Sequence, residues 1–159
     1  MSDDTNWNAL KEERRAVVER IRGLAFDAAA QEVRAALEAS PSLYADNRVL
    51  TVYEGPTRSF LLPLAFELLH DFIQQRGAQA VDWLFAHSAD ANPLVAAYCL
   101  HALSEVEDGR LPKAAASVAE RSERIHTIYG SFGWEGTLSE YARKLHDEYV
   151  ETLEQSRNA

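Results

Sequence analysis

The chain holds a single cysteine, Cys99, and so can form no internal disulfide. That residue sits in the apolar run LVAAYCL, where a small buried core side chain is expected rather than a reactive thiolate. Basic charge is also scarce: sixteen Lys and Arg stand against twenty-five Asp and Glu, a net −9. A chain of that balance lacks the basic stripe that displaces counterions from a phosphate backbone, so nucleic acid is not an expected partner. It admits a basic protein partner, although acidity for solubility alone is the commoner explanation. No apolar run is long enough to span a bilayer, and no membrane association is expected. The opening MSDDTNWN is acidic and has no apolar core. No signal peptide is therefore expected, and the expected location is cytoplasmic.

The usual marks of catalysis are missing as well. There is no Cys-pair zinc spacing, no glycine-rich phosphate loop and no G-x-S-x-G elbow, and the serines and threonines fall at caps and turns. The expectation is a non-enzymatic protein without a cofactor. One alternative uses metal. Glu67-Leu-Leu-His70 and Glu123-Arg-Ile-His126 have the Glu-x-x-His spacing that, on a helix, puts a carboxylate and an imidazole on one face, as in di-iron bundles. That chemistry needs two further glutamates on two other long helices. The dyads His70-Asp71 and His146-Asp147 do not converge on an ion, because neighbours on a helix point about 100° apart.

What is present is helical periodicity. Residues 57–106 carry only Arg58 and Arg76 among the basic residues and Glu67, Asp71, Asp82, Asp90 and Glu105 among the acidic ones. A charge-poor centre between charged flanks predicts a buried middle layer. The first helix is expected from Thr5 or Asn6 to a left-handed cap at Gly23, the second from Ala25 to Ala39 with a stop at Ser40-Pro41. A third runs from about Leu62 to Arg76 with Gly77 as its cap, and a short one from Ala78 to His87. The next starts with Asn92 as N-cap and Pro93 at its first position, runs to about Val106, and is expected to be the most buried. A further helix runs from Leu111 to about Ser122. The last begins at a capping box of Thr137 and Glu140 and continues on the stripe Leu138, Tyr141, Ala142, Leu145, Tyr149, Leu153. The fold class expected is all-α: about seven helices in stacked antiparallel hairpins, with short extended segments at 48–53 and 125–129. A single domain over 1–159 is expected, frayed at 1–4 and 156–159.

Asp90, Pro93, Val95, Cys99, Leu103 and Val106, within the unit 78–106, resemble the pattern of a HEAT-type helical repeat. The likeness covers about thirty residues, and the usual basic residue after the valine is Ala96 here. It implies stacked helix pairs and binding to another macromolecule, and it carries no catalytic residue. A second internal likeness appears on shifting the chain by 76. Arg48, Thr51 and Tyr53 then fall on Arg124, Thr127 and Tyr129, and Leu69-His70-Asp71 on Leu145-His146-Asp147. Chance explains such an echo better than duplication does.

Two features remain as sites. His101 is flanked by Tyr98 and Glu105 at helical spacing, and a hydrogen-bonded row is expected there rather than a general base. His87 is expected to make a favourable contact with the end of its helix. The segment Tyr129-Gly-Ser-Phe132-Gly-Trp134-Glu135-Gly136 combines aromatics with glycines on an expected loop. Tyr129, Phe132, Trp134 and Glu135 are the expected partner-binding residues, with a lid over the core as the alternative for Phe132 and Trp134. The functional expectation is an interaction module, of the inhibitor, immunity-protein or adaptor kind, that binds a basic protein. Self-association through the apolar centre is a further reading.

Overall fold

A computed structural model describes residues 12, 15–43, 59–61, 63–129 and 132–158, with side chains for 12, 15–38, 67–125 and 136–158. The fold is predominantly α-helical. In chain order, α1 covers 15–22, α2 Phe26–Leu43, β1 Ser59–Leu61, α3 Pro63–Arg76, α4 Ala78–His87 and α5 Pro93–Glu105. They are followed by α6 Leu111–Ser117, β2 Arg124–Tyr129, β3 Phe132–Thr137 and α7 Leu138–Arg157. The segment 48–53 and the start of the first helix lie outside the described residues.

Helix α5 is the centre of the molecule. It packs against α2, α3, α4, α6, α7, β1 and β2. Every residue from Leu94 to Leu100 is buried, as are Ala102 and Leu103. The sequence explains this directly, since no charge interrupts PLVAAYCLHALS and the small residues Ala96, Ala97 and Ala102 let neighbours approach on all sides. Ala96 is fully buried, so a basic side chain at this position would have its charge desolvated. The other helices add one face each: Ile21 from α1; Ala30, Val33 and Leu37 from α2; Leu69 and Phe72 from α3; Leu84 from α4; Leu138, Tyr141 and Leu145 from α7. Phe72 stacks on Phe26 and meets Trp83 edge-on, with centroids at 5.8 and 5.6 Å.

Caps set several boundaries where the sequence places them. Asn92 Oδ1 accepts from the amides of Leu94 (2.9 Å) and Val95 (3.3 Å), with Pro93 following. Thr137 and Glu140 form the reciprocal capping box at the head of α7. Gly77 joins α3 to α4 at φ 60°, ψ −131°, a conformation open to glycine and closed to L-residues with a Cβ.

Other boundaries differ from expectation. Gly23 closes α1 with a tight bond from the Leu24 amide to the Ile21 carbonyl, and its φ is not positive. The cap on that helix end comes from afar: Arg76 Nη2 donates to the carbonyls of Ile21 and Leu24, both at 2.6 Å. Helix α2 continues through Ser40-Pro41 to Leu43, past the expected stop, with the proline confined to its last turn. Helix α6 stops at Ser117, five residues before the expected end. Beyond it, Val118 turns into the core, and the carbonyls of Ala119, Arg121 and Glu123 accept bonds from the hydroxyl of Ser139 and the amides of Ser139 and Leu138. The amides at the start of α7, which have no partner within their own helix, thus pair with carbonyls of the chain that leaves α6. Helix α7 reaches Arg157, two residues into the stretch expected to fray.

The sheet is small, with strand order β1-β2-β3. β1 pairs with β2 in parallel and β2 with β3 antiparallel. The expected extended segment at 125–129 is β2, but its partner 132–137 is a strand and not the glycine-flexed loop expected there. The 76-residue shift also lays β1 on 135–137 of β3, so in both copies a strand leads into a helix, α3 or α7.

The Gly77 geometry gives a direct test. A Cβ at this position meets nothing within 4 Å, so only the backbone is strained. Gly77→Ala is expected to lower unfolding free energy by about 1–3 kcal/mol in urea titration, without altering helix content.

Candidate functional site

The residues expected to bind a partner are brought together on one β-hairpin. Tyr129 ends β2 and pairs with Phe132, the first residue of β3; Trp134 pairs with Thr127 and Glu135 with His126. The side chains of 126–135 lie outside those described. The hairpin is anchored at its base, where Ile125 is fully buried opposite the buried Gly136, and both strands touch α7. A glycine within a strand lets a neighbouring element approach closely, which accounts for Gly136 at this packed position.

The metal alternative loses its geometry. Glu67 and His70 are exposed on α3, and His70 Nε2 lies 3.1 Å from Gln74 Nε2. Glu123 and His126 are not on a helix at all: Glu123 precedes β2 and His126 lies within it. An offset of three in extended backbone does not align two residues on one face. Glu123 is instead gripped by Arg121, whose hydrogen bonds hold its carboxyl below the usual range. Among the described residues no three His, Cys, Asp or Glu side chains are grouped so as to hold a metal ion.

His101 does form a hydrogen-bonded row. Its Nε2 lies 2.7 Å from Glu105 Oε1, as expected, while its Nδ1 lies 2.8 Å from the hydroxyl of Tyr141 on α7. The rings of His101 and Tyr141 are parallel, with centroids 6.4 Å apart. The hydrogen bond from His101 keeps the Glu105 carboxyl low against the opposing effect of burial. Tyr141 is only 2% exposed, so its oxygen is not open to a substrate, and the row ties α5 to α7.

The densest polar cluster surrounds Asp90, in the turn between α4 and α5. Arg34 of α2 donates Nε to Asp90 Oδ2 (3.0 Å) and Nη2 to Oδ1 (2.7 Å), while also pairing with Glu38. His87 Nδ1 is 2.9 Å from Oδ2, and the Asn92 amide donates to Oδ1 at 2.9 Å. The His87 ring lies on Trp83, with centroids 4.4 Å apart. From the opposite side, Arg121 donates to the carbonyls of Asp90 (3.0 Å) and Ala91 (3.2 Å). Burial alone would raise the Asp90 carboxyl. The bonds from Arg34, His87 and Asn92 outweigh it and hold the group well below the carboxylate range. Arg110 works similarly, bonding Asp108 and Asp82 while lying over the Phe85 ring at 4.9 Å.

This use of arginine shapes the surface. Arg34, Arg76, Arg110 and Arg121 direct their donors to turns and helix ends, and Glu67, Glu107, Glu120 and Asp147 are exposed. The same holds on the distal half of α7. Burial along that helix ends at Leu145; beyond it Asp147, Glu148, Glu151 and Glu154 are exposed beside Val150 and Leu153. Cys99 is fully buried as expected, and burial raises its thiol far above the usual range. No helix among the described residues is long and apolar enough to cross a membrane.

Comparison with known protein families, with curated proteins and with solved structures finds no match.

These networks suggest two measurements. Asp90→Asn is expected to cost about 2–3 kcal/mol at pH 6, because it removes the charge from a bidentate pair whose carboxylate side chain is only 8% exposed. The folded-state carboxyl titrates below its unfolded value of about 3.9, so its stabilisation is present above that value and drains as pH falls through the folded one. Urea titrations at pH 6 and pH 3 should therefore show the gap between wild type and variant narrowing in acid. Tyr141→Phe should cost about 1 kcal/mol, the usual net value of one hydrogen bond, and leave partner binding unchanged.

Proposed function

We propose that the chain is a non-enzymatic interaction module of the cytoplasm that binds a basic protein, as an inhibitor, an immunity-type protein or an adaptor does. The observation that carries this reading is the excess of acidic charge, twenty-five Asp and Glu against sixteen Lys and Arg, with Glu67, Glu107, Glu120, Asp147, Glu151 and Glu154 exposed. Such a surface attracts a cationic partner and repels an anionic one. The pairing of α4 with α5 about the turn Asp90-Ala91-Asn92-Pro93 supports a HEAT-like stacking of helix hairpins as the scaffold. The hairpin residues Tyr129, Phe132, Trp134 and Glu135 are the proposed contact residues, since aromatic anchors dominate binding energy at protein interfaces. Backbone held in a paired strand presents them with less ordering cost than an unpaired loop would.

The test is affinity capture from source extract followed by titration of the recovered protein. The expected partner is a basic protein whose association rate falls steeply with added salt. Trp134→Ala should weaken it by about tenfold or more, the loss of roughly 1.4 kcal/mol or more expected of an interface anchor. Unchanged affinity after replacing both Phe132 and Trp134 with alanine would remove the hairpin from the interface.

A further inference from the structure

The twenty residues of α7 divide into two halves with different surroundings. Leu138, Tyr141, Ala142 and Leu145 are buried in the core, but no residue after Leu145 is. The apolar stripe nevertheless continues. Tyr149 is partly buried against the core cluster, and Val150 and Leu153 come after it at 38% and 37% exposure, among the few large apolar residues exposed on the described surface. Val150 and Leu153 are neighbours at i, i+3. Their flank is acidic: Asp147 lies three residues before Val150 and Glu154 four after it, with Glu151 and Glu148 on the same side. Between His146 and Asn158, Arg157 is the single Arg or Lys.

Solubility explains acidic residues on a helix, but it does not explain an aliphatic ridge continued beyond the core into their midst. We infer that residues 146–157 of α7 form a docking face for a basic amphipathic helix of the protein partner. Val150 and Leu153 would receive the apolar ridge of that helix, and Asp147, Glu151 and Glu154 its flanking lysines or arginines. This rests on the proposed reading that the chain binds a basic protein. Twelve helical residues present about 18 Å of length, enough for three turns of a partner helix to lie along the ridge. The charge argues against a second copy of the chain as occupant, because two such faces would set like carboxylates against each other. Leu153 lies three residues after Val150 and four after Tyr149, so the three side chains share one face along which the anchors of an amphipathic helix can lie.

The test uses the full chain and two synthetic peptides of about 18 residues, long enough to cover the ridge. One has leucine and lysine at helical spacing; the other has every lysine replaced by glutamate. Binding is followed by calorimetry and by amide shifts in nitrogen–proton NMR spectra. The lysine peptide is expected to bind, the glutamate peptide not, and the shifts to concentrate at residues 146–157. Val150→Lys with Leu153→Lys, both exposed changes whose folding is checked by circular dichroism, should weaken binding at least tenfold. Glu151→Lys with Glu154→Lys should do the same independently, while Trp134→Ala should leave peptide affinity unchanged. If the lysine peptide binds equally well to both double variants, the α7 face is overturned while the basic-partner reading stands. If neither peptide binds the wild type at low salt while a basic protein is still captured from extract, the face is likewise overturned. If that capture also fails, the wider reading falls too. Equal binding of both peptides, or shifts at 146–157 that grow with protein concentration alone, would overturn the inference in favour of general apolar adhesion or of a second copy.

Discussion

The carboxylate of Asp90 accepts two bonds from the guanidinium of Arg34 and one from the Asn92 amide, with the ring of His87 against it. The rest of the architecture depends on this arrangement because the central helix, α5, begins directly after it in the chain. Helix α5 is apolar on almost every side, so its own surface offers few polar contacts that would fix its rotation or its height in the core. Hydrophobic burial is strong but has little directional preference. The direction comes from the turn. Arg34 pulls it toward α2, Arg121 holds its carbonyls from the side of α7, and Asn92 starts the helix at a fixed residue. His101, through Tyr141, supplies a polar tether along the helix itself.

The same device recurs through the structure. Arginine appears repeatedly at joints: Arg76 on the end of α1, Arg110 between α4 and the start of α6, Arg34 and Arg121 on the turn before α5. The planar guanidinium suits this work because it presents several donors in fixed directions, where an ammonium offers a single centre of charge. Most of these arginines neutralise a carboxylate as they do so, and the acidity of the surface is that of the sequence as a whole, twenty-five Asp and Glu against sixteen Lys and Arg.

Much of the helical layout is legible in the sequence because it is written in local chemistry. Asn92-Pro93 and Thr137-x-x-Glu140 name their helix starts, and the uninterrupted apolar run names the central helix. What escapes is non-local or conditional. The partners Arg34 and Asp90 are 56 residues apart, and His101 and Tyr141 are 40 apart; no spacing rule links such pairs. Tyr98 is the neighbour of His101 that the sequence suggests, because only neighbours on the same helix can be read from periodicity. Gly23 and Gly77 look alike in sequence, yet only Gly77 needs the positive φ. Strand β3 is hidden by its glycines, which lower strand propensity unless a packed neighbour requires them, as at Gly136. The hairpin residues expected to meet a partner are found together, but the acidic, partly apolar half of α7 is not legible as a separate surface. Periodicity makes its stripe look like core along the whole helix.

Cys99, at the middle of α5, has a consequence for how this molecule can be observed. Its sulfur is enclosed by the core on all sides and its thiol is held protonated. A thiol-modifying reagent in solution therefore reacts only with those molecules in which the central helix has been laid bare. With a single cysteine in the chain, each labelling event counts one such opening, and the labelling rate measures how often the protein comes apart under native conditions.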